Sequence, residues 1–210
     1  MTKWNYGDAY LRQNMRGEIY TQYGVLQVND IFNPLPEFML KADCLFMDPP
    51  CSIGNLRSFY TKAEIEERFN EYEKFTSRLF ECINIINPSR LFIEVFKSNK
   101  ENYFKRIKTM FPYVQIIESC YYHNRKNRCW VIHGSFDNLI FDTDLNGTDE
   151  EDIIKFVCKN VPYEIIGDLC MGRGLVAVNA AKNKKQFVGT ELNEKRLAVC
   201  VERLKKLEDK

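Results

Sequence analysis

The chain has 210 residues, 45% hydrophobic and 28% charged, with a formal net charge of +1. This profile suits one soluble α/β domain, residues 1–210, with a full core, and the net charge alone decides nothing about a nucleic-acid partner. No apolar run approaches the roughly 20 residues of a membrane helix, and the opening MTKWNYGDAY lacks a signal peptide's apolar core, so a cytoplasmic protein is expected.

In chain order, YGVLQVNDIF (23–32) reads as a strand ending near Asp30, and NPLPEFMLK as a loop with a short helical turn. ADCLFMDPP is a buried strand that stops at Pro49 and Pro50, which have no N–H to give a sheet. The IGN that follows reads as a turn. TKAEIEERFNEYEKFTSRLFECINII carries Ile65, Phe69, Tyr72, Leu79 and Ile83 at helical spacing, with Thr61 and Glu64 as its capping box. RLFIEVF (90–96) is a further strand, and NKENYFKRIKTMF a basic amphipathic helix. YVQIIESCYY and RCWVIHGSF, joined by HNRKN, form an antiparallel hairpin. TDEEDIIKFVCKNV is a helix with Thr148 as its cap. YEIIGDLCMGRG is a strand entering a glycine loop, followed by the helix LVAVNAAKNK, the strand QFVGTEL and a closing helix. Strands alternating with helices imply a mostly parallel sheet covered on both faces.

Eight cysteines are present without a CxxC pair, which disfavours a structural zinc site; His123 and His133 have no evident third ligand, so no metal is expected. Cys44, Cys82, Cys120, Cys158 and Cys200 sit in apolar segments and read as reduced core thiols. Basic residues concentrate between Lys97 and Arg128, and acidic ones at 64–73 and 148–152.

In DLCMGRG (168–174), Gly172 and Gly174 give close backbone approach just before a helix N-terminus. Glu191 follows at the end of the next strand, about twenty residues on, where an acidic side chain accepts from ribose hydroxyls. Only two glycines are present, one residue apart, which disfavours a pyrophosphate site and leaves room for a smaller nucleoside cofactor.

DLCMGRGLVAVNAAKNKKQFVGTELNEKRLAVCVERL and DPPC together resemble S-adenosylmethionine-dependent amino-methyltransferases, which modify exocyclic amines of bases in DNA. The catalytic motif precedes the cofactor loop here, the circularly permuted order called the beta class. The resemblance covers roughly residues 23–62 and 150–207 and is only topological between them. It implies a Rossmann-like methyltransferase fold: a mostly parallel seven-stranded sheet with an antiparallel hairpin and helices on both faces. The catalytic half would span about 23–136 and the cofactor half about 148–207. It also implies S-adenosylmethionine as cofactor and a DNA methyltransferase that prefers adenine N6.

The same resemblance assigns roles. Asp30 would lie beside the adenine, Asp168 and Cys170 beside the methionine part, and Glu191 at the ribose, with Gly172 and Gly174 giving backbone room. Asp48, facing the methyl group, and the Pro49 carbonyl would accept hydrogens from the target amine, and Pro50 would stiffen the loop. Two acceptors would stabilise the charge that develops on a poorly nucleophilic nitrogen.

Cys51 departs from the pattern, because an aromatic ring usually follows the prolines and stacks on the extruded base, a contact worth about 1–3 kcal/mol. Three readings stay open. Another aromatic, Phe59, Tyr60 or Tyr122, stacks instead. Alternatively Cys51 is a nucleophile, as in cytosine carbon-5 methyltransferases, with Glu94 as the accompanying glutamate. Or the chain is an inactive cofactor-binding subunit. Glu94 also has a plainer reading, a strand-end residue paired with a lysine. No spare recognition domain remains, so DNA contact is expected at the hairpin, through Tyr122, Arg125, Lys126 and Arg128, with RNA also open. A homodimer or a partner subunit would supply further specificity. So compact a core suits a phage, a mobile element or a restriction-modification system.

Overall fold

The computed structural model describes residues 6, 8–138, 141 and 144–208. Short α1 (Ala9–Arg12) and β1 (Glu18–Tyr20) open the chain, ahead of β2 (Gly24–Val28) and a single 3-10 turn at Glu37–Lys41. Next come β3 (Cys44–Met47), α2 (Ile53–Ala63), α3 (Tyr72–Ile86), β4 (Arg90–Val95) and α4 (Lys100–Met110). The hairpin β5 (Tyr113–Cys120) and β6 (Arg128–Ser135) leads to β7 (Thr148–Asp149) and α5 (Glu150–Asn160). β8 (Ile165–Asp168), α6 (Leu175–Lys182), β9 (Gln186–Glu191) and α7 (Glu194–Glu208) complete it.

All strands join one sheet in the order β1-β2-β9-β8-β3-β4-β6-β5-β7. β2, β9, β8, β3 and β4 run parallel, and β6 is antiparallel to both β4 and β5. The expected seven strands are therefore present, with the short β1 and β7 added at the edges.

Alternation along the strands builds a core on each face. Cys44 and Phe46 of β3 and Phe92 of β4 point to the face covered by α5, α6 and α7. Leu45, Met47, Leu91, Ile93 and Val95 point to the face covered by α2, α3 and α4. A period of two along a strand buried on both sides explains why these runs read as continuously apolar. The five thiols expected in the core are buried and free, as is Cys129.

β8 lies beside β3, although the chain reaches them far apart. The Asp43 carboxylate accepts from the Glu164 and Ile165 N–H groups, at 2.8 Å for Ile165, and the Asp43 N–H donates to the Ile165 carbonyl at 3.1 Å. From β8 the chain winds outward to β9; from β3 it winds the other way to β4. A crevice forms at the carboxyl ends of two strands whose connections diverge in this way.

Several expected boundaries change. The strand at 23–32 is shorter and ends at Val28, two residues before Asp30. The IGN after Cys51 opens a helix, α2, whose N-cap Ser52 accepts from the Asn55 N–H at 3.2 Å. The single helix expected from Thr61 does not form. Thr61 belongs to the last turn of α2, Glu64 is its left-handed C-cap at φ 59°, and α3 begins only at Tyr72. Phe69, in the intervening segment, turns inward against Tyr60. The cap of α5 is Asp149, which accepts from the Glu151 N–H at 3.1 Å, and Thr148 lies in β7.

Candidate active site

The crevice is a cavity of about 610 Å³. It lies at the carboxyl ends of β3, β4, β8 and β9, which supply Asp48, Glu94, Asp168 and Glu191. α2 closes one side with Leu56, Phe59 and Tyr60, and the tip of the β5–β6 hairpin closes another.

The loop after β3 is braced from below. The Tyr72 hydroxyl donates to the Pro50 carbonyl at 2.6 Å and meets the Tyr103 hydroxyl at 3.0 Å, while Asn99 donates to Tyr72 at 3.2 Å. Pro49 and Pro50 are buried, and the Cys51 N–H donates to Asn55 Oδ1 at 3.2 Å. The loop thus has fixed φ angles and a pinned carbonyl, and it holds Asp48 at the cavity wall. The Asp48 side chain is exposed in the cavity, yet the protein around it displaces solvent, and this desolvation pushes its carboxyl up to about 6. The Tyr121 hydroxyl, 3.3 Å from Asp48, and the nearby Arg196 pull in the opposite direction.

Glu94 lies alongside, 2% exposed, and accepts from the Tyr121 hydroxyl at 2.7 Å. Burial and the neighbouring Asp48 push its carboxyl well above the usual range. Its partner is a tyrosine, which corrects the expectation of a lysine.

Across the cavity, Asp168 accepts from the Cys170 N–H at 2.9 Å, and burial pushes it up to about 8. Glu191 accepts from Gly172 N–H at 2.6 Å and from Asn193 N–H at 3.0 Å. A carboxylate has about four acceptor sites, so Glu191 keeps capacity for hydroxyl donors. Gly172 and Gly174 sit at φ 56° and 73°, where a side chain is strained. A Cβ on Gly174 would fall 2.0 Å from Cys200 Sγ, so α6 starts where only glycine fits against α7.

Five carboxyl groups, Asp48, Glu94, Glu150, Asp168 and Glu191, line this one cavity. Burial raises each of them. Glu150 Oε2 is buried without a hydrogen-bond partner, as is Arg196 Nε; the Arg196 guanidinium lies over the Phe59 ring at 4.9 Å. Such a set of acceptors fits a ligand with a cationic centre and hydroxyl donors, and the helix start after the glycine turn suits an anionic group on the same ligand. Among the described residues no group of three or more His, Cys, Asp or Glu side chains could hold a metal ion.

The cavity brings together Asp48, Pro49, Pro50, Cys51, Cys170, Gly172, Asp168 and Glu191 with Phe59, Tyr60, Tyr122 and Arg128. Four expected residues lie outside its lining. The Asp30 carboxylate turns to the Tyr60 hydroxyl at 2.7 Å and toward Arg68 at 3.8 Å, and Asn29 and Ile31 form the wall there. Gly174 packs against Cys200, and Arg125 and Lys126 stand exposed on the hairpin tip. Tyr122 is 81% exposed at a left-handed φ of 58°, beside His123, whose N–H donates to Asp149. That bond ties the hairpin tip to the start of α5. Three cavity residues were not anticipated in these positions: Tyr121 between the two carboxyls, Glu150 and Arg196.

No family of known sequences matches the chain, and no curated protein matches it by sequence. Solved structures do match. The complex of M1.HpyAVI with SAM aligns over 85% of this chain and 98% of its own, at 12% identity and a TM-score of 0.58. TTHA0409 from Thermus thermophilus, complexed with S-adenosyl-L-methionine, aligns over 87% and 93%, at 13% identity and 0.60. PvuII DNA methyltransferase, cytosine-N4-specific, aligns over 90% and 91%, at 11% identity and 0.59. The chain therefore has the fold of the DNA amino-methyltransferases over most of its length.

Proposed function

We propose that the protein is an S-adenosylmethionine-dependent DNA methyltransferase acting on an exocyclic base amine, with adenine N6 preferred to cytosine N4. One observation carries the reading: Asp48, just before the twin prolines after β3, and the turn of residues 168–172 after the adjacent β8, together with Glu191 at the end of β9, line the same cavity. When bound, the cofactor supplies a methyl group on a sulfonium. Asp168 and the 170–174 turn would hold its methionine end, and Glu191 its ribose. Asp48 and the Pro49 carbonyl would accept the amine hydrogens and point the nitrogen lone pair inward. The target base would leave the duplex to reach an acceptor inside the cavity. Of the three aromatics expected to stack on it, Tyr122 is exposed at the cavity, whereas Tyr60 is committed to Asp30 and the Arg196 guanidinium lies over the Phe59 ring. Tyr122, Arg125, Lys126 and Arg128 would carry the DNA contacts around the mouth, the cationic side chains at phosphates.

A second reading has its own observation. Cys51 and Glu94 share the cavity, as a cysteine nucleophile and its companion glutamate would in cytosine carbon-5 methylation. One assay separates the two: labelled methyl transfer to mixed DNA and RNA, followed by mass analysis of the nucleosides. N6-methyladenine or N4-methylcytosine supports the first, and 5-methylcytosine the second. Cys51→Ser retains transfer under the first and abolishes it under the second. Asp48→Ala with wild-type turnover would remove the amine reading.

A further inference from the structure

Asp48, Tyr121 and Glu94 form a chain of three oxygen-bearing groups. The Tyr121 hydroxyl is 2.7 Å from Glu94 Oε2 and 3.3 Å from Asp48 Oδ1. A phenol has one hydrogen, and here it stands between two carboxyl groups. If both are ionised, one receives that hydrogen and the other faces a like charge without it. A single extra proton on the chain removes the conflict, and such a pair titrates in separate steps. Glu94 is the better place for it, being 2% exposed, whereas Asp48 is exposed. The groups around Glu94 agree. Asp48 faces it from the loop after β3, Asp168 from the end of β8, Glu150 from the start of α5, and Cys129 from β6. Among the described residues Glu94 has no ion pair.

We propose that Glu94 acts as a neutral acid whose O–H donates to the Tyr121 oxygen, turning the Tyr121 hydrogen onto Asp48 and fixing that carboxylate for the target amine. Glu94 and Tyr121 are positioning residues in this arrangement. No proton changes hands; the chain sets which way each hydrogen points. Burial favours the protonated form of Glu94 in the same sense. When Glu94 ionises at high pH it takes the Tyr121 hydrogen, and Asp48 loses its donor. This account rests on the amine-methylation reading of the site.

Glu94→Gln keeps the shape and presents an amide N–H₂ donor in place of the acid, without titrating. It should hold kcat within about threefold of wild type, since one donor replaces another, and abolish the alkaline decline in rate. Glu94→Leu and Tyr121→Phe should each lower kcat by about tenfold or more at nearly unchanged KM for DNA. Binding of S-adenosylhomocysteine should be unchanged in Glu94→Gln, which confirms its fold. An infrared difference spectrum of wild type minus Glu94→Gln at neutral pH should show the carbonyl stretch of a protonated acid. Carboxylate bands instead would overturn the proposal, as would a Glu94→Gln enzyme as slow as Glu94→Leu. The spectrum needs no turnover. A wild type that methylates no base would sink the amine reading, while the spectrum would still decide the state of Glu94.

Discussion

At the scale of single residues, the site turns on the charge of Asp48. An ionised carboxylate accepts amine hydrogens, and a protonated one offers an O–H that competes with them. Desolvation by the surrounding cavity wall holds this carboxyl near 6, so it is mostly charged at neutral pH and loses its charge as pH falls through about 6. The rate should therefore fall about tenfold per pH unit below that value, because each unit removes nine-tenths of the active form. Asp48→Asn retains an acceptor oxygen that does not titrate, so its slower rate should be flat across the same range. A kcat-versus-pH profile for both proteins checks this, and an unchanged acid limb in the variant would assign the titration elsewhere. Cys51 is half-buried, its backbone N–H donates to Asn55 Oδ1, and its thiol makes no hydrogen bond among the described residues. Cys51→Ser should change the melting temperature little and lower amine methylation by no more than a few fold, since the two side chains are nearly the same size.

At the scale of elements, what was legible in the sequence followed from backbone chemistry. The prolines that end β3, the glycine turn that starts α6 and the acidic end of β9 each act within a few residues, and the structure places all three at one crevice. The errors came from tertiary contacts. Ile65 continued a helical period from Thr61, yet it is 36% exposed. The chain breaks at Glu64 because Phe69 packs on Tyr60 and Arg68 reaches Asn33 and Asp30. The start of α2 did have a local signal, Ser52 two residues after a proline, but the following glycine suggested a turn. Tyr121 and Glu150 had no such signal; they reach the cavity because β6 pairs with β4, β5 with β6, and β7, beside β5, leads into α5. The turn before α6 offers a test at this scale. In Gly174→Ala the new methyl meets Cys200 Sγ at 2.0 Å and the residue sits at φ 73°, so both packing and backbone oppose it. Loss of about 2–4 kcal/mol in denaturant titration is expected, with partial recovery in the double variant with Cys200→Ala. A neutral single variant would mean that α7 shifts without cost.

At the scale of the whole molecule, the sheet places five acidic side chains around one cavity, and the fold bears their mutual repulsion when the cavity holds no cation. Burial raises Asp168 and Glu150 to about 8 each. In the unfolded chain the same groups lose their protons near 4. Between those values the folded protein binds more protons than the unfolded one, so its stability falls as pH rises from about 4 to about 8 and then levels. His133 opposes this in part. Its ring, stacked on Phe92 at 4.3 Å and buried, is held down to about 4. The unfolded histidine takes a proton near 6.5, so this residue makes the protein less stable as pH falls from 6.5 toward 4. One histidine set against Asp48, Glu94, Glu150 and Asp168 leaves the acids dominant. The melting temperature of the cofactor-free protein should thus be higher in mild acid than near pH 8. S-adenosylmethionine, a cation, binds best when the acids are ionised, so the stabilisation it gives should grow with pH over the same window. In Asp168→Asn and Glu150→Gln the slope should flatten, while His133→Phe should steepen the acidic part. Thermal melts across that range, with and without cofactor, measure all of these together. A melting temperature that rises steadily from mild acid to pH 8 would show that the cavity carboxyls are ionised at little cost, and that the sheet brings them together less closely than described.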